Sequence, residues 1–115
     1  MIAILTSKTT HHIFFENQIF KKYKDIINIY ETTSIKPKFQ ITSKFEKKRE
    51  VFENKVCFQN KKSNFKGKSY AIKNINDNII FRILKKHKIK YLIVFGTRKI
   101  KKEIVNRYKN KIFNL

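Results

Sequence analysis

Apolar residues follow two rhythms along this chain. Ile2-Ala3-Ile4-Leu5 is a compact run, the pattern of a strand covered on both faces. Phe15, Ile19 and Tyr23 then recur at intervals of four, which predicts the apolar face of a helix. Thr9 and Thr10 stand just before it, with hydroxyls able to accept from the free N–H groups of a first turn. Ile26 to Tyr30 is a second strand-like run. Strand, helix and strand within about 30 residues make the βαβ pattern of a parallel sheet.

The middle of the chain is less regular. Residues 31–42 lack a period and contain Pro37, which predicts a loop. Ser43-Lys44-Phe45-Glu46 has the form of a capping box, and a helix to about Phe58 follows from it. Residues 59–69 are polar, rich in Lys and Asn, and hold Gly67; a surface loop is expected, then a short strand over Ser69–Ile72. The helical period returns after Asn74-Ile75-Asn76-Asp77, with Asp77 suited to the positive helix end. Ile79, Ile80, Ile83, Leu84 and His87 would share one face, and at its C-terminal end a partly cationic His87 ring is favoured. Tyr91–Phe95 is a third strong strand. Gly96 ends it, Thr97 stands where a cap could, and Ile100, Ile104, Val105 and Tyr108 mark the next helix. Ile112–Leu115 opens another strand. The expectation is one domain over residues 1–115, of the α/β class. It would be a Rossmann-like, mostly parallel sheet flanked by helices, incomplete at its C-terminus because the last strand has no helix to cover it.

Composition refines this picture. Hydrophobic residues make up 41% of the 115 positions, enough for a packed core. No apolar run approaches the roughly 18 residues of a membrane span, so no membrane is expected as a partner. A single cysteine, Cys57, excludes an internal disulfide and fits a cytoplasmic setting. It lies among apolar residues and reads as core filler rather than a nucleophile. The net charge is +20, and only four cations are arginine: Arg49, Arg82, Arg98 and Arg107. Charge alone would draw nucleic acid or another polyanion. Lys, Ile, Asn and Phe also share AT-rich codons, so genome composition accounts for the charge without any ligand. No metal is expected: His11 and His12 are adjacent, so on a helix they point about 100° apart. The aromatics fall at helix and strand periods and read mostly as core.

One stretch is distinctive. From Tyr91 it runs Tyr-Leu-Ile-Val-Phe-Gly-Thr-Arg-Lys-Ile, then from Ile104 Ile-Val-Asn-Arg-Tyr-Lys-Asn-Lys-Ile-Phe-Asn-Leu. It resembles the folate-dependent formyltransferases, which act on glycinamide ribonucleotide, methionyl-tRNA or amino sugars. In that family a strand ends in glycine, a helix follows, and the next strand carries Asn-x-His. Asn114 matches the asparagine and Leu115 the intervening residue; the histidine would come next, and a catalytic aspartate further on. The resemblance thus implies the N-terminal domain of such an enzyme, truncated before the catalytic His. A weaker match, His12-Ile13-Phe14-Phe15-Glu16-Asn17-Gln18-Ile19, is similar to the first helix of the sugar and methionyl-tRNA branch. Where the ribonucleotide branch has a glycine-rich first loop, Ser7-Lys8-Thr9-Thr10 stands here, less suited to close approach of a phosphate.

What the resemblance implies is specific. The formyl donor would be 10-formyltetrahydrofolate and the acceptor an amine. Phe95, Gly96, Thr97, Arg98, Lys99 and Ile100 would line the pterin slot, a position that topology also favours. Asn114, at the tip of a central strand, would offer its amide to the developing oxyanion. Ser7 and His12 would lie on the acceptor side, with a helix-cap role for His12 as the plainer reading. Arg98 and Lys99 are read either as solvated helix-start charges or as contacts for an acidic folate tail. No residue fills the general acid–base role, so this chain alone would be inactive. Two other readings stay open. One is a small basic module binding nucleic acid or a partner without catalysis. The other is a pseudo-enzyme fragment that associates with another chain, such as the missing C-terminal part, through its uncovered sheet edge.

Overall fold

A computed structural model describes residues 1–33, 44–59 and 64–115. The elements are β1 (Ile2–Ser7), α1 (Thr10–Lys22), β2 (Ile26–Glu31), α2 (Lys44–Phe52) continued by a π-helical turn (Glu53–Cys57), β3 (Lys68–Ile72), α3 (Ile79–Lys86), β4 (Tyr91–Phe95), α4 (Lys102–Arg107) and β5 (Ile112–Asn114). The strands form one sheet in the order β3-β2-β1-β4-β5. All four pairings are parallel. The Rossmann-like α/β expectation therefore holds, and the sheet is parallel throughout.

Alternation along each strand sorts side chains to two faces. Ala3, Leu5, Ile27, Ile29, Leu92 and Val94 point to the side of α3 and α4, where Ile80, Ile83, Leu84, Ile104 and Tyr108 meet them in the main core. Ile4 and Asn28 are buried on the opposite side, beneath α1. That second face is partly polar. Glu16 of α1 is fully buried and accepts from Asn28 Nδ2 at 2.8 Å, Gly67 N at 3.2 Å and Lys66 N at 3.3 Å. Asn17 Oδ1 takes Lys66 N at 2.9 Å, and its Nδ2 donates to the carbonyl of Asn64 at 3.1 Å. This clamp fixes the approach to β3. It also corrects the expected face of α1: Ile13, Glu16 and Asn17 are buried, while Tyr23 is an exposed C-cap. The periodicity missed this because two of these three positions, Glu16 and Asn17, are polar and are satisfied by groups distant in sequence.

Other expectations shift by a turn. Residues 74–78 form turns, and α3 starts at Ile79, which is exposed; Asp77 lies before the helix. Thr97 caps no helix; its hydroxyl donates to the Arg98 carbonyl at 2.9 Å, and α4 begins at Lys102. Ile100 therefore precedes α4, and Val105 on it is exposed. Cys57 is exposed rather than core filler, because the π-helical turn that carries it buries no residue. Phe14, Tyr23, Phe45, Phe52, Tyr91 and Phe113 are exposed too, so fewer aromatics are core than their spacing suggested. Ser43, on which the capping box depends, and most of the 31–42 loop lie outside the described residues.

Candidate functional site

In an open parallel sheet, ligands gather outside the C-terminal strand ends where the strand order reverses. Here that point lies between β1 and β4. β1 ends at Ser7, and Thr9 caps α1 by accepting from His12 N at 3.3 Å. The imidazole folds back: Nδ1 lies 2.8 Å from Ser7 Oγ and 3.1 Å from the Ser7 carbonyl. A protonated Nδ1 donates to that carbonyl, and an unprotonated one accepts from the Ser7 hydroxyl, so Ser7 holds the ring in either tautomer. Burial is the main influence lowering the His12 pKa, assisted by the neighbouring His11 and opposed by the bond to Ser7. The ring packs edge-on against Phe95, 4.5 Å between centroids. It also lies over Gly96, where a Cβ would collide with Cε1 and Nε2 and where φ is +70°. Gly96 thus has two independent reasons to be glycine.

Two hollows flank the end of β4. The first, about 380 Å³, is lined by Ser7, Lys8, Thr9, Glu31, Thr32, Thr33 and Gly96. The second, about 440 Å³, is lined by Val94, Thr97, Arg98, Lys99, Ile100, Val105, Ile112 and Asn114. Asn114 is in register with Val94, so it shares the α4 face of the sheet, whereas Phe95 points the other way onto Phe15 and His12.

The predicted residues are therefore divided. Thr97, Arg98, Lys99, Ile100 and Asn114 meet around the second hollow. Ser7 and Gly96 line the first, and His12 and Phe95 lie on the α1 side. Asn114 stands on the edge strand β5, not on a central one. Arg98 departs from one of its two readings. It is no solvated helix-start charge: its Nε lies 2.7 Å from Oε1 of buried Glu31, and its Nη2 donates to Thr33 Oγ1 at 2.9 Å. Lys99 is exposed. His87 is tied to Tyr70, whose hydroxyl lies 2.6 Å from Nε2. Burial, then the positive charges of Lys68 and Lys86, lower its pKa, so a cationic ring is disfavoured there.

Two residues escaped the sequence reading. Glu31 closes the apolar run of β2, a polar exception that could have signalled it. Asn76 brackets the turn after β4 with both ends of its carboxamide: Nδ2 to Lys99 O at 2.9 Å, and Oδ1 from Lys101 N at 2.8 Å.

No protein-family model matches the chain, and no curated protein matches it in sequence. Among solved structures, the phosphoribosylglycinamide formyltransferase of Anaplasma phagocytophilum is similar to it, with a TM-score of 0.53 at 12% identity. The match covers 98% of this chain and 47% of that one, so the chain spans about half the length of that enzyme. At this identity the likeness concerns the fold, which is formyltransferase-like.

Proposed function

We propose that this chain provides the donor-binding part of a formyltransferase that moves a formyl group from 10-formyltetrahydrofolate to an amine. The observation that carries the reading is the meeting of Asn114 with the 97–100 turn around one hollow at the C-terminal ends of β4 and β5. Val94, Ile100, Val105 and Ile112 give the hollow an apolar side, and Thr97, Arg98, Lys99 and Asn114 a polar one, a mixture that suits a flat heteroaromatic ring. The bound donor supplies the formyl carbon. The Asn114 carboxamide offers N–H donors for an oxygen on which charge develops. Lys99 can meet an acidic tail of the donor; Arg98 is committed to Glu31. Ser7 and His12, at the β1–α1 corner, belong to the acceptor side. A cytoplasmic setting goes with this reading.

The family motif assigns no residue of 1–115 to the general acid–base role. The chain is therefore expected to bind a reduced folate and to transfer no formyl group above background. Titration calorimetry with 5-formyltetrahydrofolate tests this. Binding should be measurable in the wild-type chain and lost in Ile100→Glu, which puts a charge into the apolar lining. Absence of wild-type binding, or equal binding by the variant, would contradict the reading.

One surface favours the non-catalytic alternative. Phe45, Val51, Phe52 and Val56 are exposed, and Lys47, Lys48 and Lys55 line a shallow apolar hollow with Val51 and Phe52. Such a mix of cations and apolar groups suits a polyanion or an acidic partner. A steep log–log salt dependence of RNA binding, together with no affinity for folate, would favour that reading.

A further inference from the structure

We infer that Glu31, Arg98 and Asn76 form a positioning network that fixes the 97–101 turn as a preformed wall of the second hollow. The inference rests on reading that hollow as the donor site. The stretch between β4 and α4 has no regular hydrogen-bond ladder of its own, so its conformation must be imposed from outside. Asn76 imposes it from one side. Its carboxamide binds Lys99 O and Lys101 N together, as a neighbouring strand would. Asn76 is itself held, its backbone N–H donating to Asn74 Oδ1 at 2.9 Å.

Glu31 imposes the turn from the other side. Its side chain is 1% exposed, and Oε1 accepts Ile75 N at 2.8 Å while lying 2.7 Å from Arg98 Nε. Neither Oε2 nor Arg98 Nε has a hydrogen-bond partner among the described residues; the 2.7 Å contact is an ion pair, and through it Arg98 offsets this buried carboxylate. Releasing Arg98 would leave that charge uncompensated, which holds the pair closed. Ile75 and Asn76 are adjacent, so both anchors converge on the segment after β3. The turn is pinned to two elements distant in sequence.

The network also separates the two hollows. Glu31 lines the first and Arg98 the second, and the two side chains touch. Arg98, Glu31 and Asn76 are thus positioning residues. They set the wall before a ligand arrives, which lowers the ordering cost of binding.

Hydrogen exchange on the full chain tests this. Amides of residues 97–102 should exchange about tenfold faster in Asn76→Ala and in Arg98→Lys, the size expected for losing one to two net hydrogen bonds. Asn76→Asp keeps the acceptor for Lys101 N and should fall between. Tyr70→Phe removes the contact to His87 elsewhere and should leave the turn unchanged. The same turn variants should weaken 5-formyltetrahydrofolate binding about tenfold, while Tyr70→Phe does not. Equal exchange of the turn in wild type, Asn76→Ala and Arg98→Lys would overturn the inference. So would undiminished folate binding by both variants, with the donor reading left standing. If the turn responds and the wild-type chain binds no folate, the network stands and the donor reading falls.

Discussion

His12 shows how one residue can be read correctly in place and incompletely in role. The sequence put it at the start of the first helix, beside the acceptor side or as a cap. The capping oxygen belongs to Thr9, and the ring is instead locked onto Ser7 and packed over Gly96. Its pKa in the fold lies below the ordinary 6.5 because burial penalises the cation. His87 is lowered in the same sense. Below pH 6.5 the unfolded chain then binds more protons than the folded one, so stability is present above that value and is lost as pH falls through the folded pKa. Thermal melts from pH 7 to 5 should show a falling midpoint, with a shallower fall in His12→Gln. A midpoint independent of pH, or one that rises, would contradict this. Gly96 was legible because a glycine closing an apolar strand signals a turn. Glu31 was legible only as a polar end to the apolar run of β2; its role was not, since its backbone partner Ile75 lies 44 residues away.

The elements divide along similar lines. Strands were legible because buried parallel strands are apolar on both faces: Ile2–Leu5, Ile26–Tyr30 and Tyr91–Phe95 all lie within β1, β2 and β4. Helix starts were less so. Asn74–Asp77 and Thr97 carry start signals, yet their polar groups serve turns and the clamp at Asn76. The buried face of α1 was missed because it is built on a carboxylate. Removing that group should expose its importance. Glu16→Ala strips the acceptor from Asn28 Nδ2, Lys66 N and Gly67 N, and should destabilise the fold by about 2–4 kcal/mol. Denaturant unfolding checks this. A loss under about 0.5 kcal/mol would mean the clamp contributes no more than an ordinary surface residue.

At the scale of the whole molecule, the sheet order β3-β2-β1-β4-β5 places the reversal of strand order beside Gly96, with a hollow on either side. The parallel α/β architecture was legible from alternating rhythms. The strand order was not, because β5 could only be located at the edge by its pairing with β4. The central claim is that the second hollow takes a reduced folate. Backbone amide NMR of the full chain during titration with 5-formyltetrahydrofolate tests it most directly. Shifts should concentrate at Val94, Thr97, Arg98, Lys99, Ile100, Val105, Ile112 and Asn114. Saturating shifts centred on the α2 surface around Val51 and Phe52, or no shifts at all, would contradict it.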